Sequence, residues 1–206
     1  MSDITLPPVP PSLLDQVDAE RLMEHVRRIS RFERVPGGSG EGEAFACIEA
    51  ALRDMGLDPV RHDLPAYVSV PESAHLSVAG ESLPCSAHSM LPDADLTAEL
   101  VYVPDPGAIA ASEVAGKIVM TDGLAMAPVM RAAAAAGAVG MVFIAGSRRR
   151  HEMIVSPVWG SPEPTDLGTY IPIPAVTVSF ADGETARELA RKTPRQVCGP
   201  ACGRPG

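Results

Sequence analysis

The sequence predicts an α/β protein, on three observations. Two amphipathic helical segments open the chain. A strand, an alanine-rich helix and a second strand follow one another within about 30 residues, the length of one parallel crossover unit, over 116–145. A final apolar strand at 175–179 then runs directly into a helix at 180–192.

Each element has a local cause. The first helix is expected to start after Ser12, with Asp15 three residues on as a capping-box variant. Leu22, Met23, Val26 and Ile29 recur at helical spacing and give it one apolar face. Val35-Pro36-Gly37-Gly38 interrupts that pattern. A second helix is predicted from Ser39, as its cap, to Met55. Its buried stripe would be Phe45, Ile48, Leu52 and Met55, with Gly56 as the stop.

Short strands are expected at 59–63, 66–70 and 74–78. A hairpin turn at 79–82 would separate Leu76-Ser77-Val78 from Leu83-Pro84. Cys85 falls in a loop on this reading, and Cys47 is a small buried hydrophobe on a helix. A better strand at 98–103 ends at Pro104-Asp105-Pro106-Gly107. Residues 116–121 form an apolar strand, Pro128 suits a first helical turn, and 129–136 is a helix ended by Gly137. Its alanines let it lie close to a sheet. Residues 139–145 are the returning parallel strand. The long segment 146–173 is proline-rich and reads as a functional or mobile loop. Ser179, with Asp182 at its third position, caps the last helix, whose inner face is Ala186, Leu189 and Ala190.

Composition bounds the function. Hydrophobic residues make up 46% and charged residues 21% of the 206, enough to bury a core. Aromatics are only 4%, so that core must be mainly aliphatic. The net charge of −9 argues against nucleic acid, whose phosphates demand clustered Lys and Arg. The single basic run, Arg148-Arg149-Arg150, reads as a solvated loop. Residues 1–15 have no basic region ahead of an apolar stretch, so no signal peptide is predicted. No apolar run is long enough for a membrane span, and the expected location is the cytoplasm.

Residues 98–192 resemble a protease-associated (PA) domain. The resemblance rests on the ordered set Gly116-Lys117-Ile118-Val119, then Ala136-Gly137-Ala138-Val139-Gly140-Met141-Val142-Phe143-Ile144, then Ile173-Pro174-Ala175-Val176-Thr177-Val178-Ser179. Residues 15–78 resemble the opening segment of zinc-dependent aminopeptidases of the glutamate carboxypeptidase and aminopeptidase Y type. In these, two helices around a Gly-rich turn, here Pro36-Gly37-Gly38-Ser39-Gly40-Glu41, precede an inserted PA domain. The resemblance implies an exopeptidase with two co-catalytic zinc ions and a carboxylate base acting on metal-bound water. It also implies ligands that follow the PA domain, beginning with a His-x-Asp pair.

This sequence offers no such pair. His25, His62, His75, His88 and His151 occur in neither His-x-Asp nor His-Glu-x-x-His. His62-Asp63 and His151-Glu152 are adjacent, and neighbouring side chains on a strand point to opposite faces. Gly37-Gly38-Ser39-Gly40-Glu41 lacks the final glycine and the preceding strand of a nucleophile elbow. Cys198 and Cys202 are half a zinc site, a disulfide or part of a disordered tail, and the Pro/Gly/Arg composition favours the tail. Trp159 reads as a loop anchor, with a substrate-facing lip as the alternative.

The expectation is therefore a proline-rich lead-in at 1–14, the helices and strand of an incomplete peptidase domain at 15–74, a PA domain of mixed sheet and short helices at 75–192, and a disordered tail at 193–206. No catalytic, cofactor or metal residue is assigned in the chain, although two zinc ions belong to the full-length family. The chain is expected to be a truncated and inactive exopeptidase, with a stand-alone PA interaction module and an unrelated small enzyme as alternatives. Expected partners are a peptide or protein at the PA domain, with no nucleic acid and no membrane. Self-association through unpaired helix faces is also expected.

Overall fold

The computed structural model describes Ser12, residues 15–156 and residues 164–192. The predicted lead-in, the tail with Cys198 and Cys202, and Trp159 lie outside or almost wholly outside those residues. The chain divides into two compact units, Met1–Leu64 and Pro65–Gly206.

In the first unit, α1 spans Ala19–Ile29 and α2 spans Ser39–Asp54. The expected capping by Ser12 and Asp15 does not occur on α1. Asp18 is its cap, and its Oδ1 accepts from the amides of Glu20 at 2.9 Å and Arg21 at 3.1 Å. A carboxylate at that offset satisfies two otherwise orphaned donors, which fixes the start four residues past Asp15. Ser39 does not cap α2 either. Gly38 holds the cap position without a side-chain bond, and the Glu41 carboxylate reaches back to the Gly37 amide at 2.8 Å. Gly40 is dictated by close approach, since a Cβ there would lie 2.1 Å from the Glu33 carbonyl oxygen. The turn is thus a backbone crossing point. Past the end of α2, Gly56 adopts a φ of 81°, and the amides of Gly56 and Leu57 close on the carbonyls of Arg53 and Leu52, as expected of a glycine stop.

The apolar stripe expected to be buried is largely in solvent. Phe45 is 44% exposed and Met55 60%, and Ala44 is the buried residue of α2. Leu22, Met23 and Val26 on α1 are exposed as well. Two short helices joined by a turn cover little of each other's stripe. The strands expected at 59–63 and 66–70 do not form. Arg61 instead pairs with Glu49 and Asp63.

The second unit opens with a hairpin, β1 (Leu76–Val78) and β2 (Glu81–Leu83), paired Leu76 to Leu83 and Val78 to Glu81. Its turn is tighter than expected. Ala79 and Gly80 alone make it, with φ of 57° and 84°, the twist that suits a two-residue hairpin loop. Cys85 is not in a loop: Cys85–Ala87 is β3, at one edge of a five-stranded sheet. The three-residue alternation there was too short to read, and the strand exists because β7 offers a partner.

The sheet runs β3-β7-β6-β5-β4, with β4 at Leu100–Tyr102, β5 at Ile118–Asp122, β6 at Gly140–Ile144 and β7 at Ala175–Val178. β4 to β7 are mutually parallel and β3 is antiparallel to β7, a mixed sheet as predicted. The β5 to β6 crossover carries the predicted alanine-rich helix, α3 (Ala127–Ala135), with Pro128 in its first turn. α4 (Phe180–Lys192) follows β7. Its cap is the predicted one: the Asp182 amide donates to Ser179 Oγ at 3.2 Å, and that hydroxyl donates to the Asp182 carboxylate at 2.6 Å.

Both sheet faces are covered, which explains the nearly continuous apolar runs of β5, β6 and β7. On one face Val119, Met141, Phe143 and Ala175 pack with Met130 and Ala133 of α3 and with Val155, Ile171 and Ile173. On the other, Ile118, Met120, Val142, Ile144, Val176 and Val178 pack with Leu76, Val78 and Leu83 of the hairpin and Ala186 of α4. Gly183 of α4 rests on Ile144, and a Cβ there would meet Ile144 Cγ2 at 2.4 Å.

Candidate functional site

The predicted loop 146–173 is tied to the sheet where it is described. Ile154 bridges to Ser89 in parallel fashion, and the Ser89 amide donates to the Met153 carbonyl at 3.0 Å. Val155, Ile171 and Ile173 enter the core, and Pro164–Thr169 is a short 3-10 helix.

His88 makes the polar attachment. It is 1% exposed and follows directly on β3. The Met153 amide donates to its Nδ1 at 3.0 Å, and its Nε2 lies 2.9 Å from Thr177 Oγ1. Because Nδ1 accepts, the proton of the neutral ring belongs on Nε2, which donates to the threonine. Thr177 and Thr121 flank Phe143 in register across β7, β6 and β5, and the His88 ring meets Phe143 edge-on at 6.3 Å. Burial pushes the His88 pKa down to about 4, so the imidazole is neutral at pH 7. Nearby Ser89 Oγ donates to Glu152 at 3.1 Å.

A cleft of about 370 Å³ is lined by Tyr67, Ser69, Met90, Leu91, Tyr170 and Ile171 with two prolines. Met90 has a φ of 66°, an uncommon left-handed conformation for this side chain, and its amide donates to Ser69 Oγ at 2.9 Å. Tyr67 and Tyr170 meet edge to face at 6.4 Å. The Tyr170 hydroxyl is buried without a hydrogen-bond partner among the described residues. Among the described residues the lining carries no carboxylate and no cation.

A second polar cluster stands at the far edge of the sheet. Tyr102 donates its hydroxyl to Asp122 at 2.6 Å, and Arg187 of α4 pairs with both Asp122 and Glu184. The guanidinium also lies over the Tyr102 ring, 4.3 Å from its centroid. Desolvation, and then the bond to Asp122, raise the Tyr102 pKa. The Cys85 thiol is likewise pushed up, to about 11, by burial, against the opposing charge of Arg150. That thiol is no ready nucleophile.

These residues do not fit a zinc centre. Among the described residues no three or more His, Cys, Asp and Glu are grouped so as to hold a metal. The buried histidine has both ring nitrogens engaged. His62, His75 and His151 are exposed and His25 is half-buried, each apart from such a group. Sequence reasoning passed over His88, Thr177 and Arg187, since their partners lie 65 to 89 positions away along the chain. No helix among the described residues is long and apolar enough to cross a membrane.

The comparisons agree with this architecture. Residues 96–186 match the PA domain family. No curated protein matches the chain in sequence. Among solved structures, a peptidase precursor from Shewanella amazonensis is similar, with a TM-score of 0.63 and 19% identity over 87% of this chain and 46% of its own. An aminopeptidase from Aneurinibacillus sp. strain AM-1 has a TM-score of 0.57 and 22% identity over 90% of this chain and 44% of its own. BSAP, a zinc aminopeptidase from Bacillus subtilis, gives 0.57 and 20% over 87% and 42%. The chain therefore spans less than half the length of these proteins, and the likeness is one of fold.

Proposed function

Residues 96–186 form a PA domain, and on that premise we propose that the chain is the access-shaping part of a zinc exopeptidase rather than its hydrolytic centre. The observation that carries the reading is the extent of the likeness. It covers 87–90% of the chain, and so takes in the N-terminal helices as well as the PA domain, in the order found in aminopeptidases. A hydrolytic zinc needs at least three convergent protein ligands and an open position, and no such group of His, Cys, Asp and Glu occurs among the described residues.

On this reading the cleft beside Tyr67 and Tyr170 contacts peptide. The exposed stripes of α1 and α2 meet a catalytic domain or a second copy of the chain. A stand-alone PA interaction module is the second reading. The separate core of Pro65–Gly206 favours it, since that unit does not depend on α1 or α2 for a buried interior.

The test is elemental analysis of the purified chain together with an aminopeptidase assay on aminoacyl p-nitroanilides. The expected result is substoichiometric zinc and no turnover with or without added zinc. Tightly held zinc accompanied by turnover would overturn the proposal.

A further inference from the structure

The carboxyl ends of the four parallel strands bring together three loops with an unusual surface. After β5 the Gly123 amide donates to the Ile144 carbonyl at 3.0 Å, after β6 the Ala145 amide donates to Val178 at 3.0 Å, and the Phe180 amide donates to Ser147 at 2.9 Å. The segments 123–126, 145–150 and 179–180 are therefore neighbours held by backbone bonds. They expose three large apolar side chains: Leu124 at 43%, Met126 at 46% and Phe180 at 52%.

The same segments expose Arg148, Arg149 and Arg150. Among the described residues none of the three is in a salt bridge. Arg150 Nε donates to Ser86 Oγ at 3.3 Å, and a turn closed by Ser147 Oγ on the Arg149 amide at 3.1 Å shapes the run. The acidic groups of this end have partners other than these arginines. Asp122 and Glu184 serve Arg187, Asp182 serves Ser179, and Glu152 serves Ser89. Arg148, Arg149 and Arg150 are thus exposed and outside any salt bridge among the described residues, in the segments that also expose Leu124, Met126 and Phe180.

We propose that this surface docks an acidic polypeptide segment that carries an apolar side chain. Three exposed arginines outside any salt bridge among the described residues are complementary to aspartate and glutamate. Leu124, Met126 and Phe180 are complementary to an apolar anchor. An extended polyanion such as nucleic acid is disfavoured, because it would meet the net negative remainder of the protein and leave the apolar residues uncovered. The inference is independent of whether the chain acts beside a peptidase domain.

Fluorescence anisotropy with the full chain tests it. The probe is a fluorescein-labelled peptide with Phe flanked on both sides by Asp and Glu. Companion probes replace the acids by Lys or the Phe by Ser, and a single-stranded DNA oligonucleotide is the fourth. The acidic, Phe-bearing peptide is expected to bind about tenfold or more tightly than each companion, and to weaken as salt is added. The pair Arg148→Glu and Arg149→Glu, which leaves the Arg150 bond to Ser86 in place, is expected to cost about tenfold in affinity at unchanged circular dichroism. Phe180→Ser is a second variant with the same expectation. No binding, equal binding of the Lys peptide, tighter binding of the oligonucleotide, or unchanged affinity in both variants would each overturn the proposal.

Discussion

His88 and Met153 are joined by a 3.0 Å hydrogen bond from the amide of the second to Nδ1 of the first, across 65 positions of sequence. With the Nε2 contact to Thr177, that bond makes a neutral imidazole the link between β7 and the segment that leads away from β6.

Protonation should therefore weaken the fold. The His88 pKa is about 4 in the folded chain against an ordinary 6.5. Between those values the unfolded chain binds the extra proton and the folded chain does not. Stability is thus full above about pH 6.5, falls as the pH drops toward 4, and levels off below that for this group. The shift corresponds to roughly 3 kcal/mol. Urea denaturation of the wild type and His88→Gln across pH 4–7 isolates the effect. The difference between the two should shrink as the pH falls, and a constant difference would refute the assignment.

Gly183 should not tolerate a methyl group. Alanine gains about 1 kcal/mol in helix propensity, yet its Cβ would meet Ile144 Cγ2 at 2.4 Å. Overpacking of that kind costs about 1–3 kcal/mol, so Gly183→Ala is expected to lower Tm. In an Ile144→Ala background the same change should become neutral or stabilising. A like loss in both backgrounds would show that the two residues are uncoupled.

Arg187 should matter through its shape as well as its charge. It pairs with Asp122 and Glu184 and covers the Tyr102 ring. Arg187→Met is expected to destabilise by roughly 1–3 kcal/mol, below the range for fully buried pairs because Asp122 is 44% exposed. Arg187→Lys should recover only part of that loss, since an ammonium cannot both fork between carboxylates and stack on a ring. Full recovery in chemical denaturation would reduce the role to charge alone.

The α/β class, the β5-α3-β6 crossover, the Ser179–Asp182 cap and the glycine stop at Gly56 were all legible in the sequence. Each is written in residues within a few positions of one another. Long apolar strands flanked by a proline and an alanine run leave few alternatives, and capping is a matter of offsets of two or three residues. The absence of a His-x-Asp pair was legible for the same reason.

What the sequence left open depends on partners distant along the chain. Cys85 looks like a loop residue until β7 supplies a ladder, and Phe45 reads as core in a helical stripe that the fold leaves in solvent. The roles of His88 and Arg187 have no local signature, and the run Arg148-Arg149-Arg150 reads locally only as a solvated loop. The surface of Leu124, Met126, Phe180 and the three arginines arises because the parallel strands bring the loops after residues 122, 144 and 178 to one end of the sheet. Local periodicity thus determined which segments are helix and which are strand. Only tertiary packing decided which polar groups are paired, because pairing is a property of distance in space.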